Sequence, residues 1–145
     1  MSDLDHAKKE LSDELGSPKV EALVEAMFLA ATSDGEFSPE ESMQFSATIG
    51  ALTDRKLEPD SVFRLVGLLS EKLRSEGRQA RLSAIAQRLP DGKPRETAVI
   101  LAAAITMSDG DVKGTENDFI ADLAEVLGVD QGRAVELVQK VQRSR

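Results

Sequence analysis

The chain has 145 residues, enough for one domain with a proper core, and 41% of them are hydrophobic, which favours a folded globule over disorder. It has no cysteine, tryptophan or tyrosine and a single histidine, His6. That excludes disulfides, thiol chemistry, cysteine zinc sites, paired-histidine metal centres and a core-held Ser-His-Asp triad. A formal net charge of −8 argues against nucleic acid as the principal partner.

Nearly every segment carries helical periodicity, and none alternates as a strand would. The acidic start, Met-Ser-Asp-Leu-Asp, does not resemble a secretory signal. A first helix is expected from Asp3 to Leu15, ended by Gly16, with Ser17-Pro18 opening the next. The second helix shows Val20, Leu23, Val24, Met27, Phe28 and Ala31 at i, i+3, i+4, i+7 spacing and stops at Ser33-Asp34-Gly35. A third begins at Ser38-Pro39-Glu40-Glu41 and runs through Phe45, Ile49 and Leu52.

A fourth starts near Pro59 and should bury Val62, Leu65, Val66, Leu69 and Leu73; a fifth covers Arg78 to Leu89. Pro90-Asp91-Gly92-Lys93-Pro94 is a break. The sixth helix, Glu96 to about Met107, is apolar almost all round and reads as the central buried helix. It stops at Ser108-Asp109-Gly110. A seventh carries Phe119, Ile120, Leu123 and Leu127, with Gly128 as its C-terminal cap. Asp130 can cap an eighth, expected to bury Val135, Val138 and Val141. The longest apolar run, Ala98 to Ile105, is too short to cross a bilayer. The expectation is an all-α, single-domain bundle of about seven to eight helices spanning 1–145, soluble and cytoplasmic.

A repeat is visible. Ser-Asp-Gly-acid-apolar occurs at Asp34 and again at Asp109, an offset of 75 (109 − 34), and the offset also relates Glu41 to Glu116, Phe45 to Ile120 and Leu52 to Leu127. This reads as an internal duplication, with repeat one at about 18–55 and repeat two at about 94–130.

Each copy places carboxylates around a turn: Asp34, Glu36 and Glu41 in the first, Asp109, Asp111 and Glu116 in the second. Carboxylate oxygens are hard ligands suited to a divalent cation such as Ca²⁺, Mg²⁺ or Mn²⁺. The pattern overlaps only the second half of an EF-hand loop. The first and third ligand positions would fall on Ala30 and Thr32, or on Ile105 and Met107. A strong site therefore needs both turns to face each other and pool their carboxylates. The competing reading is helix capping, since Ser38-x-x-Glu41 is a capping box and Asp-Gly is ordinary turn chemistry. Lys113 stands at the position matching Ser38, which removes that cap from the second copy, although Thr115-x-x-Asp118 offers a shifted one.

The apolar helix leading into Ser-Asp-Gly-Glu-Phe-Ser-Pro-Glu-Glu, with its second copy at Ile-Thr-Met-Ser-Asp-Gly-Asp-Val, resembles the TerB-like family of tellurite-resistance proteins. It is also similar to the amino-terminal domain of DjlA-type membrane co-chaperones. The resemblance covers about Val20 to Val141. It implies a helical bundle, a bacterial tellurite-resistance or stress-response setting, metal-linked complexes with other resistance proteins near the membrane, and no catalysis. The family's acidic-turn residues carry over to Asp34, Glu36, Glu41, Asp109, Asp111 and Glu116, while Lys113-Gly114 departs from the Ser-Pro start of the matching helix.

Charge is unevenly spread. From Lys72 to Arg95 there are seven basic residues against Glu76 and Asp91, a local +5 that leaves −13 for the rest of the chain (−8 − 5). On one continuous helix Arg74, Arg78, Arg81 and Arg88 would share a narrow arc. That stripe reads either as a solvated face paired with neighbouring acids or as a docking face for an acidic protein or an anionic membrane surface. The functional expectation is a non-enzymatic, cation-responsive interaction module, peripheral at the inner membrane if a resistance complex recruits it. The alternative is a structural scaffold or adaptor whose acidic turns only cap helices.

Overall fold

A computed structural model of the chain describes residues 18–32, 38–52, 58–89, 92–107 and 114–143. The expected helix from Asp3 to Leu15 and both acidic turns lie outside the described residues. The described chain is all-helical: α1 (Pro18–Ala31), α2 (Pro39–Leu52), α3 (Pro59–Glu76), α4 (Arg78–Arg88), α5 (Lys93–Met107), α6 (Gly114–Leu127) and α7 (Gln131–Arg143).

Two helices share the centre. Every residue from Ala22 to Ala30 is buried in α1, as is every residue from Thr97 to Ala103 in α5, and these two helices make the most extensive pairing in the bundle. The expectation of one central helix at Glu96–Met107 therefore needs a partner, α1. Both are rich in Ala, so their backbones can approach closely while Leu23, Met27, Leu29, Leu101 and Val99 fill the surrounding space. Around this pair α4 and α6 pack on α1, α6 and α7 on α5, and α2 on α3. Phe28 and Phe45 meet edge to face, with centroids 6.3 Å apart and planes at 74°, tying α2 to the core.

The boundaries have local causes. Helix α5 starts at Lys93, three residues before its expected start. Gly92, at φ +94°, presents a carbonyl that accepts from the amides of Arg95 and Glu96, and Pro94 is harmless where no amide has an intrahelical acceptor. Gly128 ends α6 as expected, at φ +73°, in a Schellman arrangement. The Val129 amide donates to Ala124 and the Gly128 amide to Glu125. Asp130 then caps α7, its carboxylate accepting from the Arg133 amide at 3.2 Å. The buried stripe of α7 is Ala134, Leu137 and Val141, with Val138 half-buried. Val135, expected inside, is 56% exposed because it stands off the i, i+3, i+7 line through Ala134.

Candidate functional site

Of the six acidic-turn residues, the structure describes the side chain of one. Glu41 is exposed in the first turn of α2 and makes the capping box read from the sequence. The Ser38 amide donates to its carboxylate at 2.9 Å, and the Glu41 amide donates to the Ser38 hydroxyl at 3.1 Å. Asp34, Glu36, Asp109 and Asp111 lie outside the described residues; Glu116 falls in the first turn of α6, and its side chain is likewise outside them. Among the described residues, no group of three or more His, Asp or Glu side chains is arranged to hold a metal ion.

A residue beside the first turn is tied to the helix that follows the second. Thr32, at the end of α1 and two positions before Asp34, is buried. Its carbonyl accepts a hydrogen bond from the Arg78 guanidinium at 3.0 Å. The same guanidinium lies over the ring of Phe119, 5.7 Å from its centroid, in the second turn of α6. The exit of α1 and the entry of α6 are thus joined through one side chain of α4. A cation at a helix C-terminus also complements the dipole of α1.

Of the remaining arginines of the basic stripe, Arg81 and Arg88 are drawn into the fold and Arg74 is not. Gly77 separates Arg74 on α3 from the other three on α4, so no continuous arc exists. Arg74 pairs with its neighbour Glu71 at 2.9 Å. Arg81 turns inward and holds the fully buried carboxylate of Glu25 with two hydrogen bonds, Nε at 2.6 Å and Nη2 at 2.8 Å, and donates a third to Glu76 at 3.1 Å. Arg88 adds a second guanidinium to Glu25 and anchors its Nε on the Ala84 carbonyl at 3.1 Å. The hydrogen bonds to Glu25 outweigh desolvation and hold the Arg81 pKa above the ordinary arginine value. Three cations of the stripe thus serve Glu25 and Thr32, while Arg74 stays exposed in a surface pair with Glu71.

Composition hid this network, but its signal is in the chain. Glu25 is the one charged residue between Val20 and Ala31 apart from Glu21, and it sits in a helix apolar all round. Arg81 and Arg88 are seven apart, two turns on the face that also carries Leu82, Ile85 and Leu89.

A second arginine cluster closes the other side of the bundle. Arg95 donates to the carbonyls of Ala86, Leu89 and Leu127 at 2.9, 3.1 and 2.9 Å. It thereby serves carbonyls at the C-terminal ends of α4 and α6, sharing that of Ala86 with the Leu89 amide at 3.4 Å. Beside it lies a cleft of about 350 Å³, lined chiefly by Arg95, Glu96, Leu127, Gly128, Asp130 and Arg133. Arg133 grips Glu96 with two hydrogen bonds, at 3.2 and 2.9 Å, and Asp130 is committed to the cap of α7. Charge in the cleft is balanced by these pairs, so it reads as a structural seam.

Comparison of the chain with protein-family models, with curated proteins and with solved structures returned no match. No helix among the described residues is long and apolar enough to cross a membrane.

Proposed function

We propose that this chain is a non-enzymatic, cation-responsive interaction module, similar in kind to the TerB-like proteins of bacterial tellurite-resistance and stress systems. It would work in the cytoplasm or peripherally at the inner membrane, on protein partners rather than nucleic acid. The single observation that carries this reading is the Arg78 bridge. It brings the residue leading into the first acidic turn and the helix that follows the second to one place on the bundle. Pooling the carboxylates of Asp34, Glu36, Glu41, Asp109, Asp111 and Glu116 requires that proximity, because each turn alone supplies too few ligands for a hard cation.

An internal duplication underlies the arrangement in this reading. Adding 75 to Pro18, Ala31, Pro39 and Leu52 gives 93, 106, 114 and 127, within one residue of the bounds of α5 and α6. The packing repeats in part as well: α2 lies on α3 and α6 on α7, while α3 touches α1 and α7 touches α5. One unit would then present an acidic turn to its duplicate across the α1–α5 pair.

Calorimetric titration with Ca²⁺, Mg²⁺ and Mn²⁺, paired with thermal unfolding at each ion concentration, tests the proposal. A saturable isotherm for one ion, with the melting temperature rising as ligand linkage requires, supports it. Heats of dilution alone with an unmoved melting curve reject it. The second reading, a scaffold whose acidic turns only cap helices, is favoured by one specific observation: the Glu41 carboxylate already accepts the Ser38 amide.

A further inference from the structure

The connection between α3 and α4 is one residue long. Gly77 holds φ +89° and ψ 161°, a backbone region essentially reserved for glycine. A Cβ at this position would meet nothing within 4 Å, so packing does not demand the glycine and the bent backbone alone does. The helical hydrogen-bond ladder nearly runs through the bend. The Gly77 amide donates to the Leu73 carbonyl at 2.9 Å and the Arg81 amide donates to the Gly77 carbonyl at 3.2 Å. The bonds that a continuous helix would add are those from the amides of Arg78, Gln79 and Ala80 to the carbonyls of Arg74, Ser75 and Glu76. Strong helix formers flank the glycine, with Glu71, Lys72, Leu73 and Arg74 before it and Gln79, Ala80 and Arg81 after it.

Rotating Gly77 into the helical region would fuse α3 and α4 into one helix from Pro59 to Arg88, 30 residues (88 − 59 + 1) and about 45 Å long. In the bent form α3 and α4 both pack on α1 and on each other. Straightened, α4 is carried away from the α1 of its own chain, and Glu25 loses Arg81 and Arg88. A buried carboxylate stripped of its cations is strongly unfavourable, so the vacated place must be refilled by the same pair of arginines. A second copy of the chain carries that pair at the required spacing.

We propose that the chain has a second form, a domain-swapped dimer hinged at Gly77. In it α1, α2 and α3 of one copy pack on α4, α5, α6 and α7 of the other, and each Glu25 receives Arg81 and Arg88 from the opposite copy. Short hinge loops are a common seat of such exchange. The closed monomer persists because glycine tolerates the bend and because opening must also part α1 from α5. The exchange therefore takes place during folding rather than from the native state.

The test refolds the full chain and Gly77→Ala from denaturant at low and at high protein concentration, then measures mass by light scattering after size exclusion. Alanine strains the bend and favours the helix, so Gly77→Ala should raise the dimer-to-monomer ratio roughly tenfold or more after concentrated refolding. Persistence of a pure Gly77→Ala monomer would overturn the proposal. A charge-exchange pair separates a swap from a surface dimer. Glu25→Arg alone faces arginine with arginine, and Arg81→Glu/Arg88→Glu alone faces glutamate with glutamate. Refolded together, a swapped heterodimer matches charges at both sites. Recovery of that heterodimer supports the exchange; its absence, with Gly77→Ala still dimeric, shows contact without exchange and rejects it.

Discussion

Glu25 offers the sharpest stability prediction. Its carboxylate is fully buried and accepts hydrogen bonds from two guanidinium groups, one of which, Arg81, is itself only 7% exposed at its side chain. Glu25→Gln keeps the shape and removes the charge. The Arg81 guanidinium is then left in the core against an amide, one end of which is a donor facing donors. Removing one member of a buried ion pair costs about 3–5 kcal/mol, a large fraction of the roughly 5–15 kcal/mol that a domain commands. At about 2–4 °C per kcal/mol for a chain of this size, the melting temperature should fall by roughly 10 °C. The assay is urea unfolding followed by circular dichroism. The midpoint should drop while the slope of the transition stays the same, because the surface exposed on unfolding is unchanged. Replacing the whole set with apolar residues, Glu25→Leu with Arg81→Met and Arg88→Leu, should recover most of the loss, since a packed core no longer has charge to compensate. A cost below about 1 kcal/mol for Glu25→Gln would refute the reasoning, because that is the range of solvent-exposed pairs.

Three further outcomes follow from the packing and the caps. Arg95→Ala removes a guanidinium donor from the Leu89 and Leu127 carbonyls, and leaves that of Ala86 to the Leu89 amide, and should cost about 2–4 kcal/mol, with faster amide exchange at the ends of both α4 and α6. Leu101→Ala, in the wall between α1 and α5, should cost about 2–5 kcal/mol through the cavity it leaves, read as a lower unfolding midpoint. Ser38→Ala breaks half of the capping box and should cost about 1 kcal/mol, with fraying of the first turn of α2 seen as lost amide protection.

Most of the helices were legible because their signals are local. Apolar residues at i, i+3, i+4 spacing placed α3, α4 and α6, and Gly77, Gly92 and Gly128 mark bends or ends that only glycine accepts easily. Burial on α7 was less legible: Val135 and Val138 looked equivalent by type, and only the contact with α5 and α6 selects the Ala134–Leu137–Val141 line. The arginines show the limit most clearly. A tally of charge from Lys72 to Arg95 gives a basic patch, but Arg81 finds its acid 56 residues away and Arg88 finds the same acid 63 residues away. Pairings that distant depend on how helices cross, and helix crossing is not written in any local pattern. Arg78 is the same case in the candidate site: its acceptor, Thr32, stands 46 residues upstream. The capping box at Ser38 and Glu41, by contrast, closes over three residues and was readable outright.

The pooling of the two acidic turns is the central claim, and an amide NMR titration tests it most directly. The metal-free protein would be titrated with Ca²⁺, Mg²⁺ and Mn²⁺, alongside Asp34→Ala and Asp109→Ala. One shared site predicts saturable shifts that include Thr32, Arg78 and Phe119 and that vanish in either variant. Shifts lost only around the substituted turn, or no saturable change up to millimolar ion, would contradict it and leave the acidic turns as helix caps.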